Sequence, residues 1–394
     1  LLAPAGDLES VEAALRFGAD AIYLGGRLLQ MRSDKAAFGD EELQKAVEQT
    51  HAAGKRLYVT LNFIARGMEV EQAGDYARFL QDVGVDAVLV ADMGVLSLVK
   101  EKAPDLHVHI STQANILNAR AARFFYDLGA ERIVLGREAT LEEIAAIRAN
   151  TPKELSIEAF AHGALCMAYS GRCLISSYLT GRSANRGECT QPCRWEYRLL
   201  EEQRPGEYFP IEEGDRYTRI LSSRDLCMID SLQELVNAGA DTLKLEGRMK
   251  SAFYVATVVN AYRGRLDGTL APESCRAELD SMAHRPYSEG LYRGEILQSA
   301  AVTRDHPQDC VFVGKVLGWE NGMLHIEQRN RFFEGDELEI LSPGQEIGHL
   351  QVKDIVNEEG EKQPSAPHPR QKLFIPCDVP YRAGDFIRKR ISDS

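Results

Sequence analysis

The chain has 394 residues, 44% of them hydrophobic, enough for one large core and a smaller second one. Its 46 Lys and Arg are outnumbered by 59 Asp and Glu, and the net charge of -13 excludes non-specific wrapping of duplex nucleic acid, which rests on many cationic contacts to phosphate. A local basic surface stays compatible with that total. No apolar run reaches the roughly 18 residues of a membrane span and no leader-like segment opens the chain, so the expectation is a cytoplasmic protein with no membrane and no DNA partner. Leu1 rather than Met comes first, so the natural start is expected slightly upstream.

In chain order, short apolar runs alternate with helix-like segments. The runs are Leu1 to Ala5, Ala21 to Gly25, Leu57 to Asn62, Ala87 to Ala91, His107 to Thr112, Arg132 to Gly136 and Leu155 to Phe160. Between them, stretches such as Asp40 to Ala53 and Leu141 to Ala149 repeat apolar residues every three to four positions. The endings Phe17-Gly18-Ala19-Asp20, Val83-Gly84-Val85-Asp86 and Leu128-Gly129-Ala130-Glu131 explain the punctuation: Gly closes a helix in a left-handed conformation and a strand follows within a few residues. An eighth unit starts at Asp241 to Gly247 and continues as a helix from Ser251. Eight such units predict a TIM-like (β/α)8 barrel spanning 1–284, with a Cys-rich insertion at 161–240. Ile220 to Ser223 followed by Leu226 to Gly239 resembles a ninth unit and is assigned to that insertion. A connector with Pro286, Gly290, Gly294 and Pro307 covers 285–309. Residues 310–394 then read as a small all-β barrel of about six strands, separated by turn formers such as Asn321-Gly322 and Pro343-Gly344.

Eight cysteines are present, and Cys166, Cys173, Cys189 and Cys193 crowd together after the seventh strand. Disulfides fit poorly without a secretory signal, and the spacing lacks the two-residue hooks of a zinc ribbon. Thiolates converging from loops suit an iron–sulfur centre, most simply [4Fe-4S], on the face of a barrel where active sites form. Cys227, in Ser223-Arg224-Asp225-Leu226-Cys227, competes for a place, whereas Cys275, Cys310 and Cys377 are isolated and read as core thiols. Around the same strand ends stand Glu158 and His162, then His109, Ser111, Gln113 and Asn62, and finally Lys244, Glu246, Arg248 and Lys250. His162, Lys244 and Glu246 are the candidates for proton handling. Asn62, His109, Gln113 and Arg248 are candidates for substrate contact. Arg172, Arg182, Arg186, Arg194 and Arg198, with Tyr169, Tyr178 and Trp195, make a locally basic, aromatic stretch suited to an RNA loop or to a small polycarboxylate.

The run from His162 to Trp195, together with Leu2-Ala3-Pro4-Ala5-Gly6, Tyr23-Leu24-Gly25-Gly26 and Leu245-Glu246-Gly247-Arg248-Met249-Lys250-Ser251, resembles the U32 family of collagenase-like peptidases over nearly the whole chain. The likeness is greatest to its tRNA hydroxylation branch. That resemblance implies formation of 5-hydroxyuridine at wobble uridine 34 of tRNA, prephenate as a required co-substrate, a [4Fe-4S] cluster, and tRNA, through its anticodon arm, as partner. A protein partner of the same family is a further implication. It also implies Cys166, Cys173, Cys189 and Cys227 as cluster ligands, Cys193 as a substitute thiol, and Arg27 and Arg32 as residues that help bind prephenate. Other readings stay open: a U32-type peptidase, an iron–sulfur assembly or binding protein, and a hydroxylase of another RNA or of a small aromatic. Proteolysis meets resistance from the residues, since His162 with Cys166 is the one local thiol–imidazole candidate and no His-Glu-x-x-His motif occurs.

Overall fold

The computed structural model describes residues 1–31, 36–166, 168–195, 212–214, 217–219, 224–294 and 308–391. Strand and helix alternate as β1 (Leu2–Pro4), α1 (Leu8–Arg16), β2 (Ala21–Gly25), α2 (Asp40–Ala52), β3 (Arg56–Leu61), α3 (Met68–Asp82), β4 (Ala87–Val90) and α4 (Met93–Lys102). The series continues through β5 (His107–Ile110), α5 (Ala119–Asp127), β6 (Arg132–Val134), α6 (Leu141–Ala149) and β7 (Ser156–Ala164). Local chemistry sets the boundaries. Asp92 caps α4 through Gly94 and Val95, Thr140 and Glu143 form a reciprocal capping box on α6, and Gly84 and Gly129 take left-handed conformations where α3 and α5 end.

The insertion supplies α7 (Ile175–Thr180), the short pair β8 (Glu212–Gly214) and β9 (Tyr217–Arg219), β10 (Asp225–Cys227) and α8 (Leu232–Asn237) before β11 (Thr242–Leu245). Strands β1 to β7 pair parallel in sequence order, and β11 pairs parallel with both β1 and β7. Among the described residues this closes an eight-stranded parallel barrel, the expected fold class. The apparent ninth unit resolves differently from its pattern. Residues 220–223 lie outside those described; β10 runs antiparallel to the end of β7, and β12 (Tyr287–Ser288) adds to its far side. The barrel interior is unusual in carrying charge. Glu158 has no exposed surface and accepts from Lys244 Nζ at 2.8 Å and Arg132 Nη1 at 3.3 Å.

Among the described residues the chain forms two compact units. One contains Leu1–Val11, Asp20–Lys250 and the segment from Arg285, hence every barrel strand. The other contains Glu12–Ala19, Ser251–His284 with α9 (Ala252–Asp267) and α10 (Pro272–Asp280), and the C-terminal sheet. That sheet is antiparallel and has eight described strands rather than six: β13 (Cys310–Glu320), β14 (Met323–Gln328), β15 (Glu337–Leu341), β16 (Gly348–Gln351), β17 (Ile355–Asn357), β18 (Lys362–Gln363), β19 (Lys372–Pro376) and β20 (Phe386–Arg390). Its order, β16-β15-β20-β13-β14-β19-β17-β18, is that of a half-barrel around one core that includes Val316, Ile326, Phe332, Ile340 and Ile375. Arg388 is fully buried in this unit, held by both oxygens of Glu278 at 2.7 Å and by Glu339 at 2.7 Å.

Candidate functional site

The C-terminal ends of the barrel strands open into a cavity of about 390 Å³, within the range of small-ligand sites. Its lining gathers Tyr23, Thr60, Asn62, Ser111, Gln113, Arg137, Phe160, Lys244, Glu246 and Arg248 with the insertion's Cys166, Cys173, Arg182, Cys189 and Cys193.

Arg248 is nearly buried and donates to Thr60 Oγ1 at 2.9 Å and to Gln30 Oε1 at 2.6 Å. Two glycines make room for it: a Cβ on Gly25 would lie 2.6 Å from Gln30 Oε1 and 2.8 Å from Arg248 Nη1, and one on Gly6 would lie 2.3 Å from the Arg248 carbonyl oxygen. Lys244 reaches the lining from the barrel interior, with its ammonium 4.2 Å from the Tyr23 ring centre. Burial pulls its pKa below the usual lysine value while Glu158 opposes that pull. Glu246 stands half-buried just beyond β11, its backbone N–H bonded to the His162 carbonyl at 2.9 Å.

The insertion is pinned over this mouth. Glu138 accepts from the Ser170 backbone N–H at 2.7 Å, and a Cβ on left-handed Gly171 would strike the Gln113 carbonyl oxygen at 2.3 Å. Arg186 donates to Glu69 Oε2 at 3.0 Å and covers the Phe63 ring at 4.8 Å. Its hydrogen bond to Glu69 holds that carboxyl below its ordinary pKa. Arg137 lies over Phe160 at 5.1 Å, donates to the Ala164 carbonyl at 3.0 Å and places Nη2 3.5 Å from Cys166 Sγ. A backbone N–H, that of Gln191, points at Cys189 Sγ at 3.4 Å.

Of the residues singled out from sequence, Cys166, Cys173, Cys189, Asn62, Gln113, Arg182, Lys244, Glu246 and Arg248 therefore share one cavity, and Cys193 joins them. Others are elsewhere. His162 is buried against Tyr287, with ring centres 5.5 Å apart, because β7 continues past it to pair with β10; it is not in the lining. His109 sits edge-on to Tyr58 at 4.7 Å and is also outside the lining; burial, reinforced by Arg132, drives its pKa well below the ordinary value, so it is neutral. Glu158, read as a neighbour of the cysteines, is committed to the barrel interior. Arg27 is half-exposed, pairs with Asp40 at 3.1 Å and covers Tyr76. Arg172 is exposed and off the lining, and Cys227 is buried on β10, also off the lining. Arg32 and Arg198 lie outside the described residues, as does the side chain of Arg194. Arg137, Thr60 and Gln30 were missed. Arg137 follows directly on β6, a loop position at the active face, and that signal could have found it.

The donor chemistry suits an iron–sulfur group: four thiols line one cavity, no described cysteine is in a disulfide, and N–H donors face two of the sulfurs. The geometry as it stands does not gather them into a cage. Among the described residues no group of three or more His, Cys, Asp or Glu side chains is close enough to hold a metal ion.

A charged-core barrel with a thiol-lined mouth, followed by an antiparallel half-barrel, defines a two-part architecture. The chain belongs to peptidase family U32, whose profile matches residues 6–300, with the family's C-terminal domain profile on residues 308–388. It is similar to the tRNA hydroxylation protein P1 of Bacillus subtilis, 36% identical over 99% of this chain and 94% of that one. The tRNA hydroxylation protein P of Escherichia coli is 34% identical over 95% of this chain and 93% of its own. The 23S rRNA 5-hydroxycytidine C2501 synthase of Escherichia coli is 40% identical over 68% of this chain and 39% of its own. Among the described residues no helix is long and apolar enough to cross a membrane.

Proposed function

We propose that this chain is an RNA-modifying enzyme that hydroxylates wobble uridine 34 of tRNA to 5-hydroxyuridine. The observation that carries the reading is the cavity itself, a pocket of small-ligand size roofed by an insertion rich in thiols, arginines and exposed aromatics. Near full-length likeness to proteins named for tRNA hydroxylation supports the reaction class. Tyr178, Tyr169 and Trp195 are exposed on the insertion, and Arg172 and Arg182 are exposed near them in sequence; such surfaces hold unpaired RNA by stacking and phosphate contact.

Replacing C5–H by C5–OH is a two-electron oxidation that side chains alone do not supply. We propose prephenate as the co-substrate and a [4Fe-4S] cluster as the resident group, with Cys166, Cys173 and Cys189 as ligands and, as the fourth, Cys227, which is off the lining, or its substitute Cys193, which shares it. Bound there, such a cluster supplies redox or Lewis-acid chemistry. In this reading Glu246 handles the proton at the mouth, Arg248 holds the wall, and Lys244 is braced by Glu158. The peptidase reading rests on the family's name and on likeness to relatives named as proteases; the Cys166–His162 pairing it needs is opposed by His162 packing on Tyr287 outside the lining.

The test is nucleoside profiling of tRNA from a strain lacking this chain and any redundant pathway. Return of 5-hydroxyuridine with the intact chain but not with Cys166→Ala is the expected result. Unchanged 5-hydroxyuridine in the deletion strain sinks the activity. Anaerobic purification with zinc and no iron sinks the cluster.

A further inference from the structure

One corner of the cavity carries hydrogen-bonding capacity that the protein leaves unused. Asn62, just past β3, and Ser111, just past β5, both line it and are 8% and 1% exposed. Their positions are fixed from several sides. The Asn62 backbone N–H bonds to the Leu29 carbonyl at 2.8 Å, the Ser111 N–H to Val90 at 2.8 Å, and Asn62 Nδ2 donates to Ser111 Oγ at 3.1 Å. Ser111 Oγ accepts a second time, from the Gln113 backbone N–H at 3.3 Å. Of the neighbouring hydroxyls, Thr60 Oγ1 is engaged by Arg248, from which it accepts, and Thr112 Oγ1 donates to the Leu135 carbonyl at 3.0 Å.

Two groups remain. Asn62 Oδ1 is buried and accepts no hydrogen bond among the described residues. With two donors aimed at its oxygen, Ser111 has its own proton left to give. A buried acceptor without a donor costs as much as a lost hydrogen bond, so a preorganised one beside a ligand cavity is explained when the ligand completes it. The side-by-side acceptor and donor match one chemical pattern, an N–H next to a hydrogen-bond acceptor.

We infer that Asn62 and Ser111 are the base-reading pair of this site, taking the pairing edge of a pyrimidine. Asn62 Oδ1 accepts from the base N–H and Ser111 Oγ donates to the adjacent acceptor. The inference rests on the RNA-modifying reading for its ligand class and adds the residues that select the base. In uracil the edge is N3–H beside a carbonyl; in cytosine it is the exocyclic amine beside the bare ring nitrogen. A site built to bond such an edge rejects analogues that lack the donor, because its own buried groups are then unpaired.

The experiment measures binding of uridine, 3-methyluridine, cytidine and N4,N4-dimethylcytidine monophosphates to the full chain, and hydroxylation of an RNA hairpin, for the native protein, Asn62→Ala and Ser111→Ala. The native protein is expected to favour one parent nucleotide over its methylated form by about tenfold or more. Asn62→Ala is expected to bring that ratio close to one while leaving the melting curve unchanged; Asn62→Gln provides a second variant if the alanine form does not fold. The arm that loses its preference names the base. Equal weakening of parent and methylated nucleotides in Asn62→Ala, or no preference in the native protein, overturns the inference. A preserved, Asn62-dependent preference without any RNA hydroxylation sinks the RNA-modifying reading and leaves the base-reading pair standing. Hydroxylation with an unchanged ratio does the reverse.

Discussion

Lys244 offers the sharpest quantitative test of how the barrel interior is built. Its ammonium donates to Glu158 at 2.8 Å, and Glu158 has no exposed surface. Replacing Lys244 with Met keeps the length of the side chain but leaves that carboxylate buried with Arg132, at 3.3 Å, as its remaining described charged partner. Breaking a buried ion pair from one side costs about 3–5 kcal/mol, and the surviving Arg132 contact puts the expected loss near the lower end, about 3 kcal/mol. The double variant Lys244→Met/Glu158→Leu removes the stranded carboxylate; Arg132 loses its charged partner but keeps its bond to Ser156 Oγ at 3.2 Å, so recovery of only part of that loss is expected. Urea unfolding is the assay. Trp195 and Trp319 lie in different compact units, so a Trp319→Phe background makes fluorescence report the barrel unit. A loss of about 3 kcal/mol moves the midpoint by about 1 M or more in urea. A single variant costing under about 1 kcal/mol, or a double variant no more stable than the single, refutes this account of the interior.

Two further outcomes follow from contacts already described. In the second unit, burial pushes the Glu339 pKa up, but Arg388 and Arg390 outweigh it and the folded value falls below the ordinary one of 4.5. The stabilisation is therefore complete above about pH 4.5 and is lost as pH falls through the lower folded value; melting of the half-barrel, followed by circular dichroism, is expected to drop below pH 4.5, and Arg388→Met to flatten that dependence. At the mouth, Gly25→Ala places a methyl 2.8 Å from Arg248 Nη1 and is expected to lower kcat/KM at least tenfold with the barrel still folded; full activity would contradict the cradle.

The barrel was legible because its punctuation is periodic. A Gly ends each of several helices, an apolar strand follows, and eight repeats leave few other architectures. The thiol-rich mouth was legible for the same reason, since loops after parallel strands converge on one face. What the residues hid depended on pairing rather than composition. β10 has three residues, too few for a period, yet its antiparallel run along β7 is what takes His162 out of the mouth. The count of about six strands fell short of the eight described partly because the segment from Leu350 to Ile355 divides between β16 and β17, which lie towards opposite ends of the sheet order. Glu158 looked like a mouth residue because charge is rare inside barrels, whereas Lys244, its partner, does reach the lining. Only the facing of their strands shows them satisfying one another.

The direct pairing of β11 with β7 has a consequence for how this fold changes over time. The ring of strands closes through that pairing alone, so the loops from Leu165 to Trp195 take no part in it, whereas Met228, Ile229, Leu232 and Leu235 further along the insertion are buried. Substitutions in those loops, among their thiols, arginines and aromatics, leave the strand pairing beneath Lys244, Arg248, Asn62 and Ser111 untouched. One scaffold can thus present different side chains to a ligand by altering loops that take no part in its ring of strands.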